Sequence, residues 1–157
     1  MDYREQYITE TYKRMREVAA TSDLKFFDVK TRIREFHTLT IDGGRQTGKT
    51  KAVVEFLKKH KAIEPSKPIY YITRYPYDIL EALADANGVV DMASPERPVR
   101  ASVSALSKLV VDNGAEIVAI SGSQEWMQDS IALLAERIVK EKLSHTFSKN
   151  LLVILDN

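Results

Sequence analysis

Gly43-Gly44-Arg45-Gln46-Thr47-Gly48-Lys49-Thr50 is the stretch from which the rest of the chain is read. It matches G-x-x-x-x-G-K-[ST], the phosphate-cradling P-loop. An apolar, β-branched run, His37-Thr38-Leu39-Thr40-Ile41-Asp42, stands before it, and a helical pattern from Lys51 to Lys58 follows. The motif therefore lies in the strand–loop–helix context that gives it meaning. Glycines let the backbone take positive φ and approach phosphates closely. Successive N–H groups then converge on oxyanions, and a helix N-terminus adds partial positive charge. Gly43, Gly44, Arg45, Gln46, Thr47, Gly48, Lys49 and Thr50 are thus the candidate binding residues for ATP. Lys49 suits the β- and γ-phosphates, and the Thr50 hydroxyl suits Mg²⁺.

The last stretch supplies the expected counterpart. Leu151-Leu152-Val153-Ile154-Leu155-Asp156 is a continuous apolar run ending in a carboxylate. Such a run suits a strand buried on both faces of a parallel sheet. Its terminal aspartate would emerge at the carboxyl edge, near the P-loop, as a Walker B residue. Asp156 and Thr50 are the candidate Mg²⁺ ligands.

Between these ends the pattern alternates. A helix is expected over residues 2–20, with Ile8, Tyr12, Met15 and Ala19 on one face. Its other surface is partly basic, with Arg4, Lys13, Arg14 and Arg16. Residues 24–35 read as mixed. Phe26, Phe27 and Phe36 are either core residues or a platform for adenine. Lys58-Lys59-His60-Lys61 closes the P-loop helix, where cations suit the carbonyl end. Ile69-Tyr70-Tyr71-Ile72-Thr73 reads as a strand, residues 76–86 as a helix, and residues 88–92 as a short strand. A helix over 102–111 carries Val103, Leu106, Leu109 and Val110 on its apolar side and stops at Asp112-Asn113-Gly114. Glu116-Ile117-Val118-Ala119-Ile120 is a further strand. The longest helix runs over 124–143 with the stripe Met127, Ile131, Leu134 and Ile138. Trp126 in its first turn is expected to be partly buried. Alternating strands and helices imply an α/β fold, a three-layer α/β/α P-loop NTPase with a mainly parallel sheet. Its division is a helical segment at 1–36 packed on a core at 37–157.

The chain has 157 residues, which fits one domain, and 44% hydrophobic residues, which suffices for a core. The net charge of +1 leaves a nucleic-acid partner open, since a basic patch can sit within a neutral total. There is no cysteine, so disulfide frameworks and thiolate metal sites are excluded. Neither a membrane-length apolar run nor a signal-peptide core is present, so no membrane partner and a cytoplasmic location are expected.

Residues 44–50 also resemble the Walker A motif of phage terminase large subunits, the motors that pump DNA into capsids. That family often carries an arginine where Arg45 stands. Tyr70-Tyr71-Ile72-Thr73, the strand from Asn113-Gly114 to Ser121-Gly122, and the run ending in Asp156 resemble the family's order of parts over 37–157. The resemblance implies an ATP-driven motor domain working on double-stranded DNA with other motor or capsid subunits, as a homo-oligomer, in the host cytoplasm if the protein is viral. It implies Lys49 and Arg45 as catalytic residues, with Arg45 stabilising charge on the γ-phosphate. The bland alternative for Arg45 is a solvent-exposed P-loop position.

One position departs from the family. A glutamate usually follows the Walker B aspartate to orient the attacking water, and here Asn157 follows, which cannot take a proton as a carboxylate does. Glu116 and Glu125 are weak substitutes. A small-molecule kinase, with Arg97 and Arg100 in a lid, and an ATP-binding assembly module without turnover are the competing functions. Strand order separates the readings. In RecA-like motors a strand inserts between the P-loop and Walker B strands, whereas in kinase-like P-loop proteins the two are neighbours.

Overall fold

The computed structural model describes residues 3–21, 27–41, 49–63, 69–73, 89–91, 102–142 and 151–156. The expected helix at 76–86, the loop at 94–98 and the glycine-rich segment 42–48 lie outside the described residues.

The strands are β1 (Thr38–Ile41), β2 (Ile69–Ile72), β3 (Val89–Asp91), β4 (Ile117–Ser121) and β5 (Leu152–Asp156). They form one sheet in the order β1-β5-β4-β2-β3, with every pairing parallel. The helices are α1 (Tyr3–Thr21), α2 (Val29–Phe36), α3 (Lys49–Ile63), α4 (Ala105–Ser107) and α5 (Gln124–Lys140). They pack against both faces of the sheet, which makes this an α/β fold compatible with three α/β/α layers.

Side-chain alternation along the strands builds two cores. On one face Leu39, Ile41, Ile69, Tyr71, Ile117, Ala119, Leu152 and Ile154 meet α1 and α3. On the other, Ile72, Val118, Ile120, Val153 and Leu155 meet α2, α4 and α5. β5 is buried at all five positions, as its unbroken apolar run requires.

Several elements differ from the sequence expectation. Residues 29–36 form α2 rather than a mixed segment. Asp28 caps it by accepting from the Thr31 N–H at 2.7 Å, and Val29 and Ile33 are buried against α5. Phe27 is no core residue: it is 42% exposed, with its ring 5.1 Å from that of Phe36. Phe26 lies outside the described residues. α3 runs on to Ile63, so Lys58 and Lys59 precede its last turn and His60 opens it. Lys59 instead pairs with Glu5 of α1, and the His60 ring stacks edge-on against Tyr12 at 5.7 Å.

The expected helix over 102–111 is α4 followed by a π-helical turn, Lys108–Asp112. The wider turn turns Leu109 and Val110 inward together, while Val103 is left exposed. Gly114, at φ 67°, lets the chain reverse so that the Ala115 N–H reaches the Leu109 carbonyl. α5 ends at Lys140 rather than at 143, and Lys142 takes a positive φ just beyond it. Its stripe of Met127, Ile131, Leu134 and Ile138 is buried as read, and Trp126 is buried more fully than expected.

Candidate functional site

The carboxyl edge of the sheet gathers a polar cluster on its α3 face. β1 and β5 pair directly, Thr38 with Val153 through Ile41 with Asp156. Asp156 therefore sits beside the last residue of the strand that leads into the glycine-rich segment. Across β5 it faces Ser121 at the end of β4. The helix after that segment, α3, opens at Lys49 on the same face. Loop positions beyond the carboxyl ends of parallel strands are where α/β folds place ligands.

Asp156 is 4% exposed. A carboxylate so deeply placed needs hydrogen-bond donors to offset its lost hydration. Tyr71 provides one: its hydroxyl donates to Asp156 Oδ2 at 2.5 Å. Beside this pair the Ser121 hydroxyl donates to Thr73 Oγ1 at 3.0 Å, and Thr73 is itself buried. Four polar side chains from the ends of β2, β4 and β5 thus gather at one edge of the sheet.

The amino edge of the β1–β5 pair is held differently. His37 Nδ1 donates to the Leu151 carbonyl at 3.0 Å, and the Val153 N–H donates to the His37 carbonyl at 2.8 Å. Burial pushes the His37 pKa down, against the smaller upward pull of the Leu151 carbonyl, so the ring is held neutral. The same edge is tied to α2, whose Ile33 carbonyl accepts from the Thr38 hydroxyl at 2.8 Å. These contacts fix β1 relative to β5, and so fix where the glycine-rich segment departs.

Of the residues proposed from sequence, the structure places Asp156 at the sheet edge and the backbone of Lys49 and Thr50 in the first turn of α3. Gly43, Gly44, Arg45, Gln46, Thr47 and Gly48 lie outside the described residues, as do the side chains of Lys49 and Thr50. Asn157, Arg97 and Arg100 lie outside them too. Glu116 and Glu125 stand at opposite ends of β4, next to its first residue and beyond its last.

Sequence reasoning did not single out Tyr71, Thr73 or Ser121. In the sequence Tyr71 reads as an apolar strand residue, and its partner is 85 residues away. The available signal was a tyrosine and a threonine at alternate positions near a strand's carboxyl end, which puts both on one face.

The donor set can be tested against a Mg²⁺ ion. Among the described residues no group of three or more His, Cys, Asp or Glu side chains could enclose a metal. Mg²⁺ does not require one, since it keeps several waters and binds through one or two carboxylates plus substrate phosphates. A single anchored carboxylate at the sheet edge fits that chemistry.

No protein-family model, no curated protein and no solved structure matches this chain. No helix among the described residues is long and apolar enough to cross a membrane.

Proposed function

We propose that this protein is a P-loop NTPase that binds ATP with Mg²⁺ and cleaves its γ-phosphate. The observation that carries the reading is Asp156. A buried carboxylate ends the strand that pairs directly with the one leading into G-x-x-x-x-G-K-T. Sequence motif and sheet register thus converge on one edge from opposite ends of the chain.

In this account the 43–50 backbone cradles the phosphates, Lys49 neutralises charge on the β- and γ-phosphates, and Thr50 and Asp156 hold the metal. Mg²⁺, held by Thr50 and Asp156, would offset the negative charge that builds on the phosphates. Water attacks the γ-phosphorus in line: a new P–O bond forms as the bond to the β,γ-bridging oxygen breaks, ADP leaves, and the water's protons depart with the inorganic phosphate. Arg45 adds positive charge towards the γ-phosphate.

The Walker A resemblance extends the proposal to a terminase-like motor acting on double-stranded DNA. A second reading has its own observation. Direct pairing of β1 with β5 is the kinase-like arrangement: it weakens the motor reading, which calls for a strand between the two, and favours phosphoryl transfer to a small acceptor. One assay separates them. On the motor reading, phosphate release from ATP by the purified chain rises when double-stranded DNA is added, and the gain falls at high salt. Equal release with and without DNA, together with a phosphorylated product from a nucleoside screen, would replace the motor by the transferase. ATP binding abolished by Lys49→Ala without any phosphate release would leave a binding module.

A further inference from the structure

We propose that Tyr71 is the positioning residue of this metal site, holding the Asp156 carboxylate in the orientation in which it takes a divalent cation. The inference rests on the proposed role of Asp156 and adds to it a residue that the P-loop pattern does not contain.

The geometry is long-range. Tyr71 lies on β2 and Asp156 on β5, with β4 between them. Two strand spacings amount to roughly 10 Å. The phenol therefore has to reach across β4 on the α3 face to meet Oδ2. The β4 residue in register with Tyr71 is Ala119, which is fully buried and carries only a methyl group. A small residue at that position leaves room for the ring. Tyr71 is itself fully buried, so its ring is fixed by packing and its hydroxyl has a defined location.

A carboxylate anchored at one oxygen through a rigid ring loses the rotational freedom it would otherwise give up on binding a metal. Groups that hydrogen-bond to metal ligands act in this way, and their removal typically weakens metal binding by about 10–100-fold. The bland alternative is that the phenol only satisfies a buried carboxylate. The alternatives differ in sign. If Tyr71 merely occupies an oxygen, its removal leaves metal affinity unchanged or raises it.

The test is a paramagnetic resonance titration of the full chain with Mn²⁺, alone and with ADP present, for wild type, Tyr71→Phe and Asp156→Asn. Thermal melts establish that each variant is folded. We expect wild type to bind Mn²⁺, Asp156→Asn to lose it, and Tyr71→Phe to weaken it by about 10–100-fold. Binding of a fluorescent ATP analogue in EDTA, which reports the phosphate cradle alone, should be the same in Tyr71→Phe as in wild type. Mn²⁺ affinity in Tyr71→Phe equal to or tighter than wild type overturns the proposal, as does wild-type protein that binds no Mn²⁺ in either condition. Should the cradle fail to bind nucleotide while the Mn²⁺ results hold, the NTPase reading falls and the role of Tyr71 stands. If Tyr71→Phe does not melt cooperatively, ring-labelled tyrosine NMR of the wild type replaces it. Mn²⁺ should then broaden the resonance of a buried tyrosine while exposed Tyr3 and Tyr7 stay sharp, and no broadening overturns the proposal.

Discussion

His37 illustrates how one buried polar side chain sets a pH dependence. Its ring is 1% exposed and tied to the Leu151 carbonyl, and burial keeps it neutral by lowering its pKa. In the unfolded chain an imidazole takes a proton near pH 6.5. As pH falls below that value the unfolded chain binds a proton that the folded one refuses, so stability declines with acid. Denaturant unfolding between pH 8 and pH 5 should show this decline. His37→Phe should lose about 1–3 kcal/mol at pH 7, because the Leu151 carbonyl is left without its donor. The same variant should show a flatter profile below pH 6.5. An unchanged slope in that variant would place the titration elsewhere. Neither the His37 bond nor the Tyr71–Asp156 bond was legible in the sequence. Each joins residues more than 80 positions apart, and only strand register brings them together.

The legibility of each element depended on how much of its pattern is local. β1, β2, β4, β5, α3 and α5 carry enough periodicity or apolar continuity to be read directly. Their bounds moved by a few residues at most. α2 was missed because only eight residues carry it and two aromatic residues precede its cap. The π-helical turn was missed because a wide turn has no sequence period of its own.

The junction of β4 with α5 offers a sharper test of packing. Ser123 caps α5 by accepting from the Trp126 N–H at 3.2 Å. A Cβ built on Gly122 would lie 2.7 Å from Trp126 Cε3, closer than real contacts allow. The indole is 5% exposed and packed in the core, so it cannot swing away cheaply. Gly122→Ala should therefore destabilise the protein by about 1–3 kcal/mol. Denaturant melts would measure the loss, and emission from the only tryptophan should shift with it. Wild-type stability and an unmoved spectrum would contradict this packing account.

On the scale of the molecule, the sheet order brings the ends of two distant segments to one edge. β5 comes last in the sequence yet lies second in the sheet, between β1 and β4. Parallel pairing then brings its final carboxylate level with Ile41, at the point where the glycine-rich segment begins. The α/β class and the burial of the Asp156 strand were legible in the sequence. The direct contact of β1 with β5 was not, because strand order depends on packing among elements far apart in the chain. That contact also weighs against the motor reading, since a RecA-like motor sheet carries a strand between the two.

The central claim is that this edge binds ATP through Lys49 and through a metal held at Asp156. Calorimetric titration of the folded chain with ATP, with and without Mg²⁺, tests it most directly. The account predicts binding that Mg²⁺ strengthens, loss of binding in Lys49→Ala, and loss of only the Mg²⁺-dependent gain in Asp156→Asn. Heat of binding absent from folded wild-type protein at millimolar ATP and Mg²⁺, or binding untouched by Lys49→Ala, would contradict it.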